Sequence, residues 1–178
     1  MNKLCTLGAA LLVSLALAGC GTDNRTPPAE SLTPKAASSS QATPAEKEAT
    51  LTYYQASEDG LHILPKQTKV KAGEHTAKNA ITEMLRADRK AKYPILPAGL
   101  DIKSIHIEDG TASANFTKEL NQLKSETAQS LFIAMTVDTL TEFPNIKRVE
   151  FRAEGKPVQF QIDMRKQFLR DESYILKN

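Results

Sequence analysis

Two cysteines, three histidines, paired carboxylates and a set of serines are the side chains of this 178-residue chain that could do chemistry. His62, His75 and His106 could ligate a metal, yet none stands in a His-x-x-x-His spacing or beside a cysteine partner. Glu58/Asp59 and Glu108/Asp109 could act as paired acids in a hydrolysis. Each pair runs straight into a glycine, Gly60 or Gly110, where an Asp serves the conformation of a turn. No serine lies in Gly-x-Ser-x-Gly or Ser-x-x-Lys, and no glycine-rich loop could cradle a phosphate. The expectation is a chain with no catalytic residue, no metal site and no cofactor.

Cys20 is the exception, because its neighbours give it a use. A cationic start, Met1-Asn2-Lys3, leads into an apolar stretch from Leu4 to Ala18. That stretch is shorter than the ~20 residues a membrane-spanning helix needs, and small residues precede the expected cut, the pattern of a secretory signal. Leu17-Ala18-Gly19-Cys20 resembles the bacterial lipobox, in which the thiol takes a diacylglyceryl group and the chain is cut just before it. Two acyl chains suffice for stable anchoring. The membrane is therefore one expected partner, held through diacylglyceryl-Cys20. The second cysteine, Cys5, falls in the segment to be removed, so the mature chain has no thiol for a disulfide, a zinc site or a nucleophile.

Composition narrows the partners further. The formal charge of +2 includes Lys3, and the remaining acidic and basic residues are interleaved. Such balance leaves no electrostatic footprint for nucleic acid. The densest basic run, Arg86, Arg89, Lys90 and Lys92, could meet an anionic surface, but reads first as a solvated loop. Of the successive tyrosines Tyr53 and Tyr54, one ring should face the core and the other outward, since strand side chains alternate.

The division expected is a signal peptide over 1–19, a lipidated Cys20 with a tether over 20–49, and a folded domain over 50–178. The tether is Thr, Pro, Ser, Ala, Glu and Lys with Leu32 as its one large apolar residue, too little to offset chain entropy. In the domain, Leu51–Gln55 and Leu61–Leu64 read as strands flanking an Asp59-Gly60 turn. Ala77, Ala80, Ile81, Met84 and Leu85 give the apolar face of a helix over 76–87. Ile105 and Ile107, then Ala112, Ala114 and Phe116, predict the inward face of a hairpin turning at Asp109-Gly110. A second helix over 125–143 carries Ala128, Leu131, Phe132 and Met135, and Pro144 stops it. Arg148–Arg152 is a strand, and Val158, Phe160, Ile162 and Met164 alternate as a last edge strand. Phe168, Leu169, Tyr174, Ile175 and Leu176 suggest that the C-terminal stretch docks on the domain. The resulting fold class is α+β, a mainly antiparallel sheet with two helices packed on one face.

Taken in order, these segments resemble the GerMN domain of sporulation and spore-germination lipoproteins and other bacterial envelope proteins. The resemblance runs from about Thr52 to Val158. It is carried by Leu51-Thr-Tyr-Tyr54 with Glu58-Asp-Gly60, Leu96-Pro-Ala-Gly99 leading to Ile102–Ile105, Ile107-Glu-Asp-Gly-Thr-Ala112, Thr139–Pro144, and Val149-Glu-Phe151 with Gly155–Val158. The resemblance implies a non-enzymatic envelope protein, working in sporulation, germination or cell-wall processes by contacting another envelope protein. A wall-polymer-binding module that recognises peptidoglycan is the alternative.

Overall fold

The computed structural model describes residues 47–177. The signal segment, Cys20 and the tether up to residue 46 lie outside the described residues.

Strand β1 (Glu48–Ala56) opens within the stretch assigned to the tether and pairs antiparallel with β2 (Ile63–Lys71), from Glu48 against Lys71 to Ala56 against Ile63. The second strand thus runs well past Leu64 and carries Pro65, which lacks an amide to donate. Pro65 is tolerated because these two strands form a sheet of their own, leaving β2 an open edge. Helix α1 (Ala77–Arg89) follows, capped by the Thr76 hydroxyl, which accepts from the Asn79 amide at 3.2 Å.

Strands β3 (Ile102–Glu108) and β4 (Thr111–Phe116) form the expected hairpin. Asp109 and Gly110 both take positive φ, +47° and +75°, as a two-residue turn between twisted strands requires. Ala112, Ala114 and Phe116 are buried, but Ile107 is 38% exposed and Ile105 only half-buried. Two causes displace these isoleucines: the register shifts between Ile102 and Ser104, and β3 is an edge strand. Ile102 takes the core position instead, 5% exposed.

Helix α2 (Glu126–Thr141), capped by Ser125, leads to β5 (Arg148–Ala153), which lies parallel to β4. The second sheet has the order β3-β4-β5-β6, with β6 reduced to Lys156–Pro157. The fold is α+β with mostly antiparallel pairing, divided between two sheets, and includes one parallel pair that α2 connects. The two helices pack on each other and on β1, α1 reaching β3 and α2 reaching β2 and β5. Because α2 sits among all of these, every residue from Leu131 to Leu140 is buried, rather than one face alone.

The predicted last strand does not form. Past Pro157 the amides that would build a ladder are taken by side chains: Gln159 donates to Asn121 Oδ1 at 2.9 Å and Gln161 to Gln129 Oε1 at 3.0 Å. Val158 and Met164 still bury their side chains, so the apolar alternation reflects packing without a strand. Beyond them the C-terminal segment docks. Phe168 exchanges two backbone hydrogen bonds with Val149, both 2.9 Å, and Leu176 donates to the Ile63 carbonyl at 3.0 Å. It thereby ties the second sheet to the first.

Candidate functional site

The turn carboxylates are occupied locally. Asp59 is held well below the usual carboxylate range by the Ser57 hydroxyl first, then by the Leu61 amide and by His62, whose Nδ1 lies 3.1 Å away. A carboxyl so stabilised in its charged form is a poor proton donor. Glu58, Glu108 and Asp109 are exposed. Asp109 uses its backbone carbonyl to accept from Arg148 Nη2 at 3.3 Å. His75 packs its ring against Phe143 at 5.2 Å, and His106 lies 3.8 Å from Glu108 in solvent. The sequence candidates are thus dispersed, and no group of three His, Cys, Asp or Glu residues is placed to hold a metal among the described residues.

Three of the four residues of the basic run have partners close by in the sequence, on α1 or just past it. Arg86 pairs with Glu83, Arg89 Nε donates to the Leu85 carbonyl at 3.2 Å, and Lys92 lies over the Tyr93 ring. Tyr54 points inward, 4% exposed, and Tyr53 packs half-buried beside it.

A different place concentrates unusual chemistry. Between α2 and the docked C-terminal segment lies a pocket of about 290 Å³, walled by Ile133, Val137, Ile162 and Phe168, with Ser130 at its edge. Asp138 lines it from the side of α2. This residue is fully buried, and neither carboxylate oxygen has a hydrogen-bond partner. Burial pushes its pKa up to about 6, opposed by the Arg170 charge and by the Asp171 amide, which faces the carboxylate without reaching hydrogen-bond geometry, and reinforced by the Asp171 and Glu142 carboxylates.

Arg170 does not satisfy that carboxylate, because its donors are committed elsewhere. Nη1 donates to Glu142 Oε1 at 2.9 Å and to the backbone carbonyl of Asp138 at 3.3 Å, and Nη2 to Tyr54 Oη at 2.6 Å. Tyr54 Oη in turn donates to Glu142 Oε1 at 3.0 Å, while its amide donates to Thr139 Oγ1 at 3.0 Å. Burial raises the phenol pKa above its ordinary value, with the Arg170 contact opposing and Glu142 adding to the rise.

A shallower depression adjoins the pocket, sharing Ser130 and Tyr174 with it and bounded by Leu61. Leu61 and Leu169, 62% and 65% exposed, therefore flank one continuous concave face. Large apolar side chains around a recess with a few polar groups are the usual make-up of a binding surface. Ser130 and Asp138 both line it, without a hydrogen bond between them.

Sequence reasoning passed over this site. Asp138 did carry a signal, a lone acid within the apolar run Leu131–Leu140, which a one-faced helix explains away by turning it to solvent. Arg170 carried none, since its partner Tyr54 lies 116 residues away in sequence.

Comparison with known proteins agrees with the architecture. The family described as Germane, sporulation and spore germination, matches residues 51–159. No curated protein sequence matches the chain. Among solved structures, the tandem GerMN domains of the sporulation protein GerM from Bacillus subtilis superpose with a TM-score of 0.50 at 20% identity, over 62% of this chain and 40% of that one. The first GerMN domain of the same protein gives a TM-score of 0.50 at 24% identity, over 61% and 84% of the two chains. At these identities the likeness speaks to the fold. The chain spans well under half the length of the tandem-domain protein, so it matches a module of that protein rather than the whole. With the matching stretch running from the middle of β1 to just past β6, the chain belongs to the Germane family of sporulation and spore-germination domains.

Proposed function

We propose that the protein is a lipid-anchored component of the bacterial envelope whose GerMN domain acts by binding, as a scaffold in sporulation, germination or cell-wall processes. The anchor is diacylglyceryl-Cys20, and the tether lets the domain stand off its membrane. The partner is another envelope protein, and it meets the face between α2 and the C-terminal segment.

The observation that carries this reading is the pocket flanked by Leu61 and Leu169, with no reactive pair inside it. Large apolar side chains exposed beside a recess gain free energy when a partner excludes water from them. The family match supplies the setting.

In-cell photocrosslinking from position 169, followed by mass spectrometry, tests the reading. Native chain, Cys20→Ala and Leu61→Asp are compared. A recurring envelope protein that is captured by the native chain and lost in both variants supports it. Capture of glycan or muropeptide alone would replace the scaffold with a peptidoglycan-binding module. Cys20→Ala should also move the protein out of the membrane fraction.

A further inference from the structure

The pocket has a chemical bias that its shape alone does not convey. Its walls are aliphatic and aromatic, but its one fully buried ionisable group, Asp138, is an acceptor without a donor. Leaving a buried acceptor unmade costs more than a made hydrogen bond returns. Natural interiors pair such groups, so an unpaired one beside a recess points to a partner from outside. A charged donor compensates an ionised carboxylate far better than a neutral one does.

The surroundings restrict that donor. Arg170 is held by Glu142 and Tyr54, and Lys166, the cation on the pocket rim, lies over the Phe168 ring at 5.1 Å instead of at the carboxylate. Glu142 on α2 and Asp171 on the C-terminal segment add negative potential to that of Asp138. A metal ion would need more ligands than this site gathers. An anion would meet the Asp138 and Asp171 carboxylates in the lining. A compact monocation with an apolar stem fits both halves of the pocket.

We propose that this pocket binds an alkylammonium group, its charge seated at Asp138 and its aliphatic stem along Ile133, Val137, Ile162 and Phe168. At about 290 Å³ the space suits a side chain or a small amine rather than a larger ligand. The group comes either from a lysine side chain of a protein or from a free amine. Asp138 is closed from bulk solvent, so seating the charge moves the Leu169–Asp171 wall aside. That wall is anchored by backbone bonds on either side, at Phe168 and Leu176, and between them by Arg170. The proposal rests on the reading of this face as a binding surface and specifies what the face selects.

The test uses the full lipidated chain in nanodiscs with methyl-labelled isoleucine and valine, titrated with n-butylammonium and, in parallel, n-butanol. Butylammonium should shift the Ile133, Val137 and Ile162 methyl signals saturably and bind about tenfold or more tightly than butanol. Asp138→Asn should remove that preference. Lowering the pH through about 6 should weaken the amine, as Asp138 takes up a proton against the fixed background of Arg170, Lys166, Asp171, Glu142 and the Tyr54 phenol. Equal binding of amine and alcohol, an unchanged preference in Asp138→Asn, or shifts confined to other methyls would overturn the proposal. If Asp138→Asn does not fold, Ser130→Phe fills the pocket from its rim and should abolish the shifts; shifts that persist in it overturn the proposal too.

Nα-acetyl-lysinamide distinguishes the sources. Tighter binding than butylammonium assigns the group to a protein side chain, and weaker binding to a free amine. Should the amine fail while position 169 still crosslinks a partner, the ammonium assignment falls and the binding face stands. The reverse result removes the partner and keeps the pocket.

Discussion

Arg170 Nη2 donates to the phenolic oxygen of Tyr54 at 2.6 Å, joining the C-terminal segment to the first strand across 116 positions of sequence. Glu142 completes the triangle, accepting from both at 2.9 and 3.0 Å. Three elements are fastened together at this point: β1, the residue that ends α2 and the C-terminal segment.

Arg170→Met should therefore loosen the segment without emptying the space beneath it. Charge-assisted hydrogen bonds of this kind contribute about 1.5–3 kcal/mol in total when one partner is removed. The expected outcome is a loss of that order in urea unfolding, and faster amide exchange from Leu169 to Leu176 while β3 and β4 keep their protection. Uniform acceleration across the domain would show that the segment is no separate unit.

Asp138 predicts a pH dependence opposite to that of most carboxylates. Its folded pKa is raised from 3.8 to about 6, so the folded chain holds this proton more tightly than the unfolded chain does. Stability from this group is full below pH 3.8 and is lost as the pH climbs through 6. Asp138→Asn should accordingly stabilise the protein at pH 7.5, by up to about 3 kcal/mol from the size of the shift. The gain should vanish near pH 3.5. Chemical denaturation at the two pH values checks this, and an equal gain at both would show that burial of the charge is not its cause.

Gly110→Ala isolates the conformational demand of the hairpin. A Cβ there would meet Lys147 Cγ at 3.6 Å, ordinary contact, so space is not the obstacle. The positive φ of +75° is, and it should cost about 1–2 kcal/mol. Asp109→Gly at φ +47° should be neutral or mildly stabilising. Thermal melts of the two variants should move in different directions.

Phe132→Ala should be the most damaging of these substitutions. Its ring lies 5.2 Å from that of Phe116, 5.8 Å from Phe151 and 6.2 Å from Phe160, so it joins α2 to the second sheet and to the irregular segment after it. Aromatic truncation in a closed core costs about 3–5 kcal/mol. Phe132→Leu, which keeps most of the volume, should recover more than half of the loss. A similar cost for both would implicate the ring stacking rather than the cavity.

What could be read from the sequence was local. Asp109-Gly110 as a turn and Pro144 as a stop each act within a few residues, so their effect survives whatever packs around them. Failures came where a distant group decided the outcome. Ile107 lost its core place to a register shift at Ile102, and residues 158–164 lost their strand to Asn121 and Gln129. The parallel pairing of β4 with β5 was foreshadowed by the helix between them, the usual way of joining parallel neighbours. At the candidate site Asp138 stands out as an acid in an apolar run but nothing local gives it a role, and Arg170 gains its meaning from Tyr54 and Glu142.

The docked C-terminal segment also bears on how such a chain becomes protein. Synthesis delivers the N-terminal end first, so the β1–β2 hairpin exists long before its fastening residue is made. Helix α2 arrives next with a charged residue in its apolar middle and no segment to cover it. When Phe168 meets Val149 and Leu176 reaches Ile63, a backbone link is added between the two sheets that the helices already bridge. Chains interrupted upstream of these residues are left with the α2 face open, the kind of surface that proteases and chaperones recognise. The cover of α2 is thus supplied by residues that follow both sheets in the chain, so that helix stays uncovered until they dock.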